Sequence, residues 1–191
     1  MGGTTLVLSR VRLVLREIEL KRTEDSTTCS DDSDGGSDDD CEEIAFGPIL
    51  LDLPLNGNVS QVVTVEADTG TYRELEFEVH KPEDDGKDAA FLAQHPDFRR
   101  VSIRVEGTWN GTPFVFLSDL GVEQELDLMP PLRIEAAGNA DLILRVDLRS
   151  WFLSSGGTAF INPATANKGQ PAEGLVKENI KRSFEAFEND D

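Results

Sequence analysis

Apolar and polar residues alternate along much of this chain with the two-residue period of strands that bury one face. The cleanest case is Tyr72–Val79 (YRELEFEV), where Leu75, Phe77 and Val79 alternate with Glu74, Glu76 and Glu78. Thr4–Arg22 is less simple. Val11, Val14, Leu15 and Ile18 fit a helical stripe, whereas Val11, Leu13, Leu15 and then Ile18, Leu20 fit a strand with one slip of phase. The β-branched residues and the lack of an N-cap favour the strand, with a bulge near Arg16–Glu17 producing the slip.

Ile44–Leu55 reads as an apolar strand interrupted by Gly47-Pro48, Asn56-Gly57 as a turn, and Val59–Ala67 as a further strand. Past a polar loop and a short helical turn at Ala89–Gln94, strands are expected at Val101–Glu106, Phe114–Leu117, Val122–Leu128, Leu132–Ala136 and Ala140–Leu148. Asn110-Gly111 is a two-residue hairpin signal, and Met129-Pro130-Pro131 separates the third and fourth of these strands. Glu173–Glu188 differs. It spaces Val176, Ile180, Phe184 and Phe187 as the apolar stripe of an amphipathic helix, suited to covering a sheet edge or an open end. The pattern predicts an all-β fold, an antiparallel β-sandwich (Ig- or transthyretin-like) or partly open barrel with a C-terminal helix. It forms one domain over residues 1–191, with an acidic insertion over 23–43 and the helix over 173–188.

Composition adds charge and compartment to that outline. With 191 residues, 38% of them hydrophobic, the chain can build a core without staples. Its 37 Asp and Glu against 18 Lys and Arg give a net charge of −19, which argues against nucleic acid and anionic membrane surfaces as partners. About half of that charge lies in one segment, since Glu24 to Glu43 holds ten acids and no Lys or Arg. No apolar run reaches the roughly 18–20 residues of a membrane span. The opening MGGTTLVLSRVRLVL lacks the regions of a signal peptide, so export would require a leader before Met1.

The acidic segment carries the chain's two cysteines, in CSDDSDGGSDDDC from Cys29 to Cys41. In an oxidising compartment they close a disulfide across a Gly- and Ser-rich loop, and in a reducing one they stay thiols. The spacing excludes a C-x-x-C redox pair, and no nearby His completes a zinc site. Asp32, Asp34, Asp38, Asp39 and Asp40 offer hard oxygen ligands for weak calcium binding, although Asp32-x-Asp34-Gly35 copies only a fragment of an EF-hand loop. A solvated acidic loop is the plain alternative.

Elsewhere the candidates are sparse. His80 and His95, with Glu78, Asp84 or Asp97 nearby in sequence, could do metal or acid–base work, but their spacing does not force them together. No nucleophile elbow, phosphate loop or H-E-x-x-H is present. Glu74, Glu76 and Glu78 share one strand face, the outcome of any wet sheet surface and also a conceivable glycosidase pair. Trp109, beside the Asn110-Gly111 turn, could serve as a sugar platform, whereas Trp151 reads as core.

VRLVLREIELKR, then GPILLDLPL, then a Gly-Thr-Tyr turn opening YRELEFEV resemble the uncharacterised bacterial secreted and lipoprotein domains called DUF4382. The likeness spans Val7–Val79 and rests on strand and turn motifs. It implies a β-sandwich-like, exported domain (periplasmic, outer-membrane lipoprotein or secreted) and carries no activity or cofactor. The sequence is therefore read as a non-enzymatic exported module that binds a surface protein or polysaccharide, or contributes to a surface structure. A carbohydrate-active hydrolase using carboxylates of the wet sheet face is the alternative.

Overall fold

A computed structural model describes residues 4–22, 41–45, 47–57, 68–84, 86–136 and 140–188. The chain is mostly β, with antiparallel sheets. The expected strand Val59–Ala67 and the candidate residues within 23–40 lie outside the described residues.

The long first strand, β1 (Leu6–Lys21), organises the main sheet. Its apolar residues come in three phases: Leu6 and Leu8, then Val11, Leu13 and Leu15, then Ile18 and Leu20. All of them join one core because the register shifts twice, between Leu8 and Arg10 and again between Arg16 and Glu19. Glu17 takes a φ of 51° at the second shift, where the sequence places its bulge. The first shift lies where β1 comes close to Gly107 of the neighbouring strand.

One edge of β1 pairs with β2 (Cys41–Ala45) and β3 (Ile49–Asp52), so the strand expected over Ile44–Leu55 is two short strands broken around Gly47-Pro48. The other edge pairs with β4 (Gly70–Val79) along its second half and with β5 (Ile103–Trp109) along its first. β4 and β5 are thus one row of the sheet, interrupted by residues 81–101. The next row repeats the break: β6 (Thr112–Ser118) pairs with β5, and β7 (Val122–Ile134) pairs with β4. The β4–β5 gap faces Val14 and the β2–β3 gap faces the bulge of β1 two residues further on, so the breaks cluster in one crease.

β7 corrects two expectations at once. Val122–Leu128 and Leu132–Ala136 are a single strand, in which Leu132 stands opposite Tyr72 and Asp127 opposite Glu74. Three more residues lie between the β7 partners than between those on β4, and the fully paired ladder resumes beyond Met129-Pro130-Pro131, with Met129 82% exposed. The β5–β6 hairpin is as expected, with Asn110 (φ 50°) and Gly111 (φ 82°) in the left-handed region that a tight two-residue turn requires.

The C-terminal part covers the inner face of this sheet. β8 (Leu142–Val146) leads into α2 (Leu148–Trp151), and α3 (Glu173–Lys181) follows a loop. The helix expected to run to Glu188 stops at Lys181, and Phe184–Glu188 is a strand, β9, paired with β8. Val176 and Ile180 fit the helical period, but Phe184 and Ala186 are buried two apart with Glu185 exposed between them, the period of a strand. Ser183 marks the change: its amide and its hydroxyl both donate to the Ile180 carbonyl, closing the helix. Phe184 then meets Phe77 of the sheet edge-on at 5.4 Å.

Residues 81–101, between β4 and β5, hold α1 (Ala89–Gln94) and a 3-10 turn at Pro96–Phe98. They pack on the outer face of the sheet. Phe91, Leu92 and Phe98 enclose Val14 in a small cluster separate from the main core. Val101, at the start of the strand expected over Val101–Glu106, packs on this cluster, whereas Ile103 and Val105 join the main core.

Candidate functional site

Two groups of ionisable side chains stand out, and both arise from the register of the sheet. The first lies at the crease. The His80 amide donates to the Val14 carbonyl as β4 ends, and the Val14 amide donates to the Ser102 carbonyl as β5 begins. His80 is 5% exposed and lies between two carboxylates, with Nε2 2.9 Å from Asp88 Oδ2 and Nδ1 3.5 Å from Glu78 Oε2. Asp88 Oδ2 also accepts from the Glu83 amide. Arg16 of β1 reaches Glu78 at 2.7 Å and Glu17 at 3.0 Å.

Burial disfavours the imidazolium, but the hydrogen bonds to Glu78 and Asp88 outweigh it and hold the His80 pKa above its ordinary value, against the opposing charge of Arg16. Burial likewise works against the Glu78 carboxylate, yet His80 and Arg16 pull its pKa down. An imidazolium that donates from both nitrogens to carboxylates has no lone pair to offer a nucleophile or a metal. The buried hydroxyl nearest in the ladder, Ser102, donates instead to the Ser118 carbonyl at 3.1 Å. With His80 protonated, this node is an ion-pair clasp.

The second group is the outer face of the other half-sheet. Register sets Glu78 opposite Glu123, Glu76 opposite Glu125 and Glu74 opposite Asp127, with Arg16, Glu19 and Lys21 of β1 on the far side of β4. Lys21 bridges Glu74 at 3.2 Å and also Glu76. Glu123 shares a hydrogen bond with Glu76, and that contact, the Glu76 charge and burial raise its pKa. Glu74, Glu76 and Glu78 are half-buried by their neighbours, so the face expected to be wet is a crowded carboxylate ladder.

Trp109 is half-buried and pairs with Leu6, whereas Glu78 pairs with Arg16. That separates the tryptophan from the ladder by roughly 30 Å of β1. Trp151 is fully buried, as expected, and its Nε1 donates to Ser183 Oγ at 2.8 Å.

The other residues singled out in the sequence are not brought together. Asp84 pairs with Arg99, and Asp97 with Arg12, which lies over the Phe98 ring at 5.1 Å. His95 packs against Phe91. Among the described residues no three His, Cys, Asp or Glu side chains form a metal-binding group, and no helix is long and apolar enough to cross a membrane. Cys29, Asp32, Asp34, Asp38, Asp39 and Asp40 lie outside the described residues. Of Cys41 the structure gives the backbone, opposite Lys21.

The sequence reading did not single out Asp88 as the partner of His80. Asp88 sits where a helix N-cap belongs, yet its side chain makes no capping bond and turns to His80 and the Glu83 amide instead. It also did not single out Asp119, which accepts from Lys168 and Lys177, both at 2.6 Å. Burial works against that carboxylate, but the two lysines outweigh it and lower its pKa to about 2. The pair ties the β6–β7 turn to α3. No family model matches the chain, and neither a curated protein nor a solved structure matches it significantly.

Proposed function

We propose that the chain is a non-enzymatic module of the cell exterior, periplasmic or surface-attached, that binds a protein or polysaccharide partner or contributes to a surface structure. The observation that carries this is the fate of the ionisable groups best suited to catalysis. His80 is enclosed between Glu78 and Asp88, with both ring nitrogens occupied. The ladder carboxylates, for their part, are far along β1 from Trp109. Likeness to the DUF4382 domains in strand and turn motifs supports export. The creased sheet, whose two halves feed one core, supports a sandwich-like organisation. The acidic loop between Cys29 and Cys41 gives the module a calcium-sensitive element through Asp32, Asp34, Asp38, Asp39 and Asp40.

Two measurements test this. Chromogenic glycosides should show no turnover above background, while isolated surface polysaccharide or surface protein retains the chain. Turnover that disappears in Glu76→Gln would replace the module with a hydrolase. Millimolar Ca²⁺ should raise the melting temperature of oxidised protein and much less that of reduced protein; equal shifts, or none, remove the calcium element.

A further inference from the structure

The crease holds a conformational device. Residues 81–101 leave the sheet and return to it at a single β1 residue, with His80 and Ser102 both bonded to the Val14 backbone. What this excursion buries is its own small cluster on the outer face, around Val14, Phe91, Leu92 and Phe98, apart from the main core. Its loop half is fastened by Asp88 to His80, and its far half by Asp97 to Arg12 at 3.2 Å. Asp97 also lies 4.0 Å from Arg104 of β5, whereas the contacts from Arg99 to Asp84 and from the Arg100 amide to the Pro82 carbonyl are internal to the excursion and move with it. A segment with a separate apolar cluster and a hinge at one residue is built to open locally.

We propose that His80, clasped between Glu78 and Asp88, is a proton-dependent latch that holds residues 81–101 on the sheet. The groups that face it are Glu78 from β4, Asp88 from the excursion and Arg16 from β1, itself paired with Glu17. With its proton, His80 bridges both carboxylates. Without it, one ring nitrogen becomes an acceptor turned toward a carboxylate, and Glu78 and Asp88 repel across the ring. Because the folded pKa of His80 is raised, the latch is intact below the unfolded histidine value and is lost as pH rises through the folded one. Glu78, whose pKa is lowered, sets the opposite limit, and its contribution is lost as pH falls through its folded value. The latch therefore opens on the alkaline side.

With only two histidines in the chain, the His80 ring resonances can be followed against those of His95. Amide protection factors for residues 89–98 are measured on the full chain across the same pH series. The expected result is a His80 midpoint above the ordinary histidine value. Protection at 89–98 begins to fall above the ordinary histidine value and levels off at the His80 midpoint, about tenfold lower for each unit by which the folded pKa exceeds the unfolded one, while β5 and β6 keep theirs. His80→Gln should leave 89–98 weakly protected at every pH. Protection that ignores the His80 titration overturns the latch, as does a His80 midpoint below the ordinary value. A main sheet that loses protection in step with the excursion overturns it too. If His80→Gln does not fold, the wild-type series decides: protection at 89–98 must fall between the ordinary histidine value and the His80 midpoint and level off there.

Discussion

The Asn167 side chain accepts a hydrogen bond from the Leu117 amide at 2.8 Å and so closes the outward edge of β6. In the β5–β6 hairpin Thr112, Phe114, Phe116 and Ser118 face β5, which leaves Pro113, Val115 and Leu117 with their backbone groups outward. Proline has no N–H to offer, and Leu117 gives its own to Asn167, so two of the three outward positions present no donor to a foreign strand. Asn167→Ala should cost about 1 kcal/mol of stability. The double variant Pro113→Val, Asn167→Ala should in addition associate as concentration rises. Urea midpoints and light scattering over a dilution series report the two effects separately.

Gly107 explains the first register shift of β1. A Cβ built there would collide with the Val7 carbonyl oxygen and press on the Phe114 ring. The backbone of β1 comes this close where Leu8 and Arg10 flank the bulge. Gly107→Ala should therefore destabilise by about 2–3 kcal/mol through overpacking against backbone. Gly121 has nothing within 4 Å of its Cβ position, so Gly121→Ala, close to neutral in a denaturant titration, is the control.

The strands were legible where period and turn chemistry agreed. YRELEFEV and the Asn110-Gly111 hairpin were read correctly, and so was the slip near Arg16–Glu17, because a misplaced phase has one cheap remedy in a strand. Glu173–Glu188 misled because Val176, Ile180 and Phe184 satisfy a helical spacing. The Ser183 contacts that close the helix on Ile180 are reinforced by a long-range one, the Trp151 indole donating to Ser183 Oγ from 32 positions away. The Asp88–His80 and Asp119–Lys177 pairs had no local signal either, since folding alone brings their members together. Pro130-Pro131 read as a strand terminator, yet the ladder resumes beyond them because the extra β7 residues bulge away from β4.

Ser183→Ala should cost about 1–3 kcal/mol, because it leaves the Trp151 indole N–H buried without its partner. Calorimetry measures the loss. Ser183→Thr, which keeps the hydroxyl, should recover part of it, whereas equal losses in both variants would point to packing alone.

Asp119 should shape the acid limb of stability. Its folded pKa, lowered to about 2, lies below the ordinary aspartate value, so its contribution is present above that value and is lost as pH falls toward 2. Lys168 is 77% exposed, and solvent screens its share. Asp119→Asn should therefore remove about 1–2 kcal/mol at pH 7 and flatten the stability profile between roughly pH 4 and 2. Chemical denaturation at stepped pH tests both features.

Glu123 should act in the opposite sense. Its raised pKa means that its ionisation beside Glu76 weakens the fold as pH rises. Because the side chain is exposed, Glu123→Gln should stabilise by only about 0.5 kcal/mol at pH 7, and the gain should vanish in acid. A melting series at pH 4 and pH 7 shows whether it does.

The alignment of the breaks at Gly47-Pro48, in the Arg16–Glu17 bulge, over residues 81–101 and between β6 and β7 has a consequence for how this protein can change. Extra residues in most strands would shift every pair beyond them and turn core side chains toward water. Here β2 and β3, β4 and β5, and β6 and β7 meet as separate strands, so length added between the two members of a pair leaves both ladders in step. The crease is where the gene can lengthen without the sheet having to be rebuilt, and residues 81–101 already occupy that allowance.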